Sequence, residues 1–153
     1  MLERDEAERK GESEARGLGA RRRRDDAVVI EVSNRSGVEV EEAAAAELAQ
    51  RVLAAEGVDE GELGIAFVGP EESRTLKREH LGVDEPTDVL SFPIDGREAL
   101  PAGLPRQLGD VVLCPQVVGD AWRRPLAHGL LHLLGYDHGA EMEKREEALS
   151  RWP

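Results

Sequence analysis

Aromatic rings are scarce in this chain: it has two Phe, two Trp and one Tyr among 153 residues. A core built from such a sequence packs aliphatic side chains and leaves few rings to stack on nucleic-acid bases. Cysteine occurs once, at Cys114, which rules out an internal disulfide and agrees with a reducing compartment. No apolar run approaches the ~20 residues of a membrane span, and the opening MLERDEAERK lacks the apolar stretch of a signal peptide. These absences point to a cytoplasmic protein with no membrane partner. Positive charge is short as well: 20 Lys and Arg face 32 Asp and Glu, a net charge of −12. Such a surface repels a polyanion at long range, so a nucleic-acid partner would need a local basic patch.

What is present divides the chain in two. Residues 1 to 26 are almost all charged or small, with too little apolar surface to offset the entropy of ordering, so a disordered tail is expected there. Its RRRR run at 21 to 24 could touch RNA or simply be solvated. Residues 27 to 153 read as one folded domain. AVVIEV (27 to 32), ELGIAFVG (62 to 69), TDVLSFP (87 to 93) and GDVVLC (109 to 114) are apolar, β-branched runs and predict four strands. VEVEEAAAAELAQRVLAAEGV predicts a helix ending at Gly57, and PEESRTLKREHLG a second one opening on Pro70 and closing at Gly82. A charged C-terminal helix, GAEMEKREEALSRW, comes last. The order suggests an α/β or α+β layer around one small mixed sheet of four strands with packed helices.

Three of the four histidines fall in HGLLHLLGYDH, residues 128 to 138. If PLAHGLLHLL is helical from Pro125, His128 and His132 stand one turn apart on one face. Gly135 can take the left-handed conformation that ends a helix, and the chain can then bring His138 to the same point. Leu130, Leu131, Leu133 and Leu134 would anchor the other faces in the core. The result is three neutral nitrogen ligands with a fourth position open, as in catalytic zinc sites. Zinc is the first choice for imidazole ligands, one ion per chain, and nickel or another divalent ion is an alternative. A single histidine on an apolar helix is usually a packed core residue; three at this spacing around a glycine are hard to explain as packing. The spacing also matches the second half of the metzincin protease motif, but Gly129 stands where the glutamate general base belongs. Asp137 could orient a ligand or the attacking water, or serve only as a turn residue.

Three stretches, EPTDVLSFPID (85 to 95), LGDVVLCPQVV (108 to 118) and HGLLHLLGYDH, together resemble the YbeY family of bacterial ribosomal-RNA maturation factors. The likeness runs from about Val28 to about Trp152 and leaves the tail outside it. It implies an α+β fold with a metzincin-like zinc helix across a small mixed sheet, and zinc on His128, His132 and His138. It implies a metal-dependent, single-strand-specific endoribonuclease, acting in 16S ribosomal-RNA 3′-end maturation and ribosome quality control. The expected partners are ribosomal RNA and the small ribosomal subunit or its proteins, while the oligomeric state stays open.

Two departures from the family shape the candidate list. Many members carry an arginine just before the glycine that precedes PTDVLSF, thought to serve cleavage; here that residue is Leu81. Arg74, Lys77 and Arg78 share a helix face by i, i+3 and i+4 spacing and are its candidate replacements, Arg78 as a catalytic cation and the others as substrate contacts. The segment between Cys114 and His128 is also shorter than in most members. Pro125 stops a helix from running smoothly through it from Gln116, so the metal helix should be short and lean on tertiary packing. Arg123 and Arg124 just upstream could reach phosphate. Ser91 and Asp110 could contact substrate or hold the histidines from behind. Cys114 reads as a buried thiol, because a fourth protein ligand would close the site. A non-catalytic assembly factor with structural zinc, and less readily a metallopeptidase, are the competing readings.

Overall fold

The computed structural model describes residues 28–151. The charged tail with its arginine run, Ala27, Trp152 and Pro153 lie outside the described residues. Nine elements follow in order: β1 (Val28–Arg35), α1 (Glu42–Ala55), β2 (Gly61–Val68), α2 (Pro70–Leu81), β3 (Val89–Pro93), β4 (Gln107–Leu113), α3 (Pro115–Val118), α4 (Arg123–Leu133) and α5 (Ala140–Ser150). The four strands form one mixed sheet in the order β1-β2-β4-β3, as expected. β1 and β4 flank β2 in parallel, and β3 closes the sheet antiparallel to β4 with Ser91 opposite Val111. Among the described residues β3 is therefore an edge strand, paired on one side only.

Alternation along the strands sorts the core into two layers. Leu63, Ile65 and Phe67 of β2 with Val111 and Leu113 of β4 pack beneath α1, α4 and α5, against Leu48, Val52, Leu126 and Leu130. Val68, Leu90 and Val112 point the other way, onto Leu76 of α2, with Phe92 packed at the margin. The scarcity of rings shows in the result: among the described residues, Phe67 and Trp122 are the aromatic side chains buried in this core.

Element boundaries differ from the sequence expectation where side chains capture the backbone. α1 opens at Glu42, because Asn34 Nδ2 and Ser36 Oγ donate to the Val38 carbonyl at 2.7 and 3.2 Å and hold the preceding segment in a turn. β3 begins at Val89 because the Thr87 backbone is spent on α2. Its N–H donates to Ser73 Oγ at 3.0 Å, and its carbonyl accepts from the same hydroxyl at 3.1 Å. Residues 115–118, not assigned an element of their own from sequence, form the short helix α3, which stops at Gly119. Gly82 ends α2 in the left-handed conformation (φ 73°), its N–H donating to the Arg78 carbonyl. The metal helix starts two residues earlier than expected, at Arg123, which puts Pro125 at its third position. The N–H that proline lacks has no intrahelical partner there, so the ring costs nothing.

Candidate metal centre

α4 is 11 residues long and has no side-chain cap. A missing cap costs about 1 kcal/mol, whereas burying a leucine contributes about 2 kcal/mol. Leu126, Leu130, Leu131 and Leu133 are each at most 2% exposed, so packing decides the matter. The helix also comes unusually close to the sheet. A Cβ on Gly129 would lie 2.8 Å from Val111 Cγ1 and 3.1 Å from both Ser91 Oγ and Val89 Cγ2. Ser91 Oγ donates to the Gly129 carbonyl at 3.1 Å, pinning α4 over β3.

This contact sets His128 and His132 side by side, their Nε2 atoms 3.1 Å apart. Past α4, Gly135 is left-handed (φ 97°), and the N–H groups of Gly135 and Tyr136 donate to the carbonyls of His132 and Leu131. The reversed chain delivers His138, and one nitrogen from each of the three rings falls within 4.8 Å of the others. His138 is exposed while the other two are half-buried, so the cluster faces outward.

The opposite nitrogens are already committed. His132 Nδ1 lies 2.9 Å from the Tyr136 carbonyl, which can only accept, so that nitrogen carries the proton. His128 Nδ1 lies 3.2 Å from Glu146 Oε2, a carboxylate oxygen that likewise calls for a proton on the ring. Both Nε2 lone pairs then point at each other, an arrangement that repels by itself and suits a cation between them. Burial, above all, holds His132 below the usual imidazole range, and the two neighbouring rings act in the same direction against the Tyr136 carbonyl. Neutral rings with Nε2 free are what a divalent ion requires. The donor set fits zinc.

Two carboxylates behind the cluster were not singled out from the sequence. Glu146 is buried, with Arg124 Nε 3.3 Å from one oxygen and His128 on the other. Met142, Glu146 and Leu149 form the buried stripe of α5, and a carboxylate at helical spacing between two apolar residues was the available signal. Glu56 is more enclosed still. It accepts from Arg97 at 2.7 Å, Arg145 at 2.8 Å and the Tyr136 hydroxyl at 2.8 Å, so a buried charge is fully met. It thereby fixes the turn whose carbonyl orients His132. Burial, chiefly, and the Glu56 carboxylate push the Tyr136 phenol upward.

A cleft of about 1200 Å³ opens over the histidines along the free edge of β3. Ser91, Arg124, Asp137 and Glu146 line it together with all three rings; on the far side stand His80, Leu81 and Phe92. Arg74, Lys77 and Arg78 are not among its lining residues. Arg74 forms a two-pronged pair with Asp84 at 2.7 and 3.1 Å, Arg78 reaches the same carboxylate at 3.4 Å, and Lys77 pairs with Glu85 at 3.3 Å. The Arg74 guanidinium holds Asp84 below the usual carboxylate range. Arg123 turns away, stacked over Trp122 at 4.4 Å and near Glu41. Asp110 and Cys114 are buried.

Glu146→Gln keeps the shape and removes the charge behind His128. Zinc affinity should fall by roughly 10- to 100-fold, the usual cost of losing such support, as read by competition with a chromophoric chelator. Unchanged affinity would show that His128 needs no partner.

Fold and cleft together define a class: small α+β domains whose histidine-bearing helix crosses a mixed sheet beside an open edge strand. A family model for endoribonuclease YbeY matches residues 30–151. The endoribonuclease YbeY of Beutenbergia cavernae is 43% identical over 132 residues, covering 76% of this chain and 87% of that protein. That of Acidothermus cellulolyticus is 38% identical over 150 residues, covering 82% and 92%. For the Halorhodospira halophila protein the figures are 44% over 99 residues, covering 56% and 64%. The chain belongs to the endoribonuclease YbeY family. The solution structure of TM1509 from Thermotoga maritima shares the fold, with a TM-score of 0.50 at 23% identity over 80% of this chain and 87% of that one. No helix among the described residues is long and apolar enough to cross a membrane.

Proposed function

We propose that this protein is a zinc-dependent, single-strand-specific endoribonuclease of the cytoplasm that matures the 3′ end of 16S ribosomal RNA and serves ribosome quality control. The observation that carries this reading is the pair of facing Nε2 atoms on His128 and His132, each ring fixed from behind, at the floor of a cleft that also presents Arg124. Family membership supplies the reaction class.

His128, His132 and His138 would hold one zinc ion per chain, which when bound supplies Lewis-acid polarisation of a phosphoryl oxygen. The chain's own groups do the rest. Arg124, steadied by Glu146, offers guanidinium donors to the non-bridging phosphate oxygens. The exposed Asp137 carboxylate stands at the cleft to accept the proton of the attacking water. Ser91 spends its proton on Gly129 and keeps lone pairs to accept from a ribose hydroxyl. Arg74, Lys77 and Arg78 would contribute only on exchanging Asp84 and Glu85 for phosphate. With a net charge of −12, protein contacts on the small subunit are the natural guide to the substrate.

The test compares single-stranded with duplex RNA before and after chelation and zinc reloading. Cleavage of single strands alone, lost with the ion and restored by it, is expected. Cleavage that survives chelation would sink the reading, and so would equal cleavage of duplex.

A further inference from the structure

The cleft has two unlike walls. On the α4 side it presents Arg124 and the histidines; on the α2 side it presents His80, Leu81 and Phe92. The split follows from β3, whose residues alternate. Val89 and Ser91 meet Gly129 on α4, whereas Leu90 and Phe92 belong to the cluster beneath α2. A strand of RNA lying along the free edge of β3 therefore touches both layers.

We propose that His80, Leu81 and Phe92 form a docking face for one nucleobase of single-stranded RNA, beside the phosphate held at the histidine cluster. This rests on the nuclease reading above and adds the part of the substrate that reading leaves unassigned.

Three observations carry it. The Phe92 and His80 rings meet edge to face, with centroids 4.7 Å apart and planes at 68°. Phe92 is half-buried in the core beneath α2, so the pair is a braced aromatic surface with an exposed imidazole at its rim. Leu81 beside it is 61% exposed and lines the same cleft. One exposed leucine signifies little; next to two rings in a cleft it extends an apolar ledge.

Among the described residues, the alternatives are few. Phe67 and Trp122 are buried, and the Tyr136 hydroxyl is tied to Glu56. The cation of the cleft stands opposite, on α4. An anionic phosphate is drawn to that wall, and the uncharged face of a base suits the other. Where the family commonly has an arginine, this chain thus has part of an apolar ledge, at Leu81.

The experiment titrates the full-length protein with single-stranded adenosine decamers carrying one abasic residue at each position in turn. Affinity is read by fluorescence anisotropy after chelation, which prevents cleavage, and cleavage rates are read on the loaded protein. In the wild type, one abasic position should weaken binding by roughly tenfold, as loss of one stacked base does. His80→Ala should weaken the intact decamer similarly and remove the penalty at that position. Leu81→Ser, also exposed and harmless to folding, should do the same in part. Arg124→Ala should weaken every decamer alike. If no abasic position costs affinity, or if the His80→Ala and abasic losses simply add, the docking face is overturned while the nuclease reading stands. If wild-type protein neither binds nor cleaves single strands, both fall together.

Discussion

His132→Ala should leave the purified protein without zinc and without ribonuclease activity. His132 is the centre of the cluster: its Nε2 faces His128, its ring packs against His138 with centroids 4.6 Å apart, and its Nδ1 is held by the turn. Removing it leaves two ligands, one of them exposed. Elemental mass spectrometry should find about one zinc per wild-type chain, as three-histidine sites bind, and essentially none in the variant. Cleavage should fall by roughly a thousandfold or more, ~4 kcal/mol of barrier, the scale on which a lost Lewis acid is felt. Zinc at a hundredfold excess over its Kd stabilises a folded state by ~2.7 kcal/mol, so added zinc should raise the wild-type Tm and leave that of the variant unmoved. For zinc content and the zinc-dependent Tm, though not for cleavage, His80→Ala is the control, since the fourth histidine lies on α2 and outside the cluster. A variant that keeps its zinc would refute the assigned ligands. One that loses zinc yet cleaves RNA would show that the centre only supports the fold.

Gly129→Glu, which rebuilds the protease motif on paper, should unfold the domain or come close to it, and should yield no peptidase. The first atom of any side chain there meets Val111 at 2.8 Å, with Ser91 and Val89 beside it. Overpacking costs ~1–3 kcal/mol, and a carboxylate driven against the sheet adds several more. The better helix propensity of glutamate returns less than ~1 kcal/mol. The balance is clearly unfavourable, and a Tm lower by roughly 10 °C or more follows for a domain of this size. Gly129→Ala carries only the overpacking term and should fall between the two proteins. Melting curves check the order, and a chelator-sensitive peptide assay should stay blank throughout. A glutamate variant melting with the wild type would mean that α4 can lift off the sheet. The glycine that weakened the protease reading is thus explained by packing.

The strands and long helices were legible because hydrophobic period and terminal glycines act locally: Gly57 and Gly82 stand where α1 and α2 end. The three histidines were legible for the same reason, since one turn of helix and one reversal are short-range geometry. What stayed hidden depends on distant pairings. Nothing local marks Glu146 as the partner of a histidine 18 residues earlier, or Glu56 as the partner of a tyrosine 80 residues later. The cations of α2 show the converse. Their helical spacing predicts a shared face, but spacing does not reveal that Asp84 and Glu85, in the following loop, fold back to meet them. The limits of β3 and α1 depended on side chains that compete for backbone groups across a turn.

The open flank of β3 bears on a property seldom linked to catalysis, namely how copies of the protein avoid one another. A short apolar strand, VLSFP, with one side unpaired among the described residues is a template on which another chain can align, and other proteins shield such edges under a helix or loop. Here a shield would seal the cleft, so the edge has to stay accessible. The surface charge of −12 supplies the missing protection, because two such molecules repel before their edges can meet. The acidity that first counted against a nucleic-acid partner is, on this view, what lets the strand beside the histidines remain uncovered in a crowded solution.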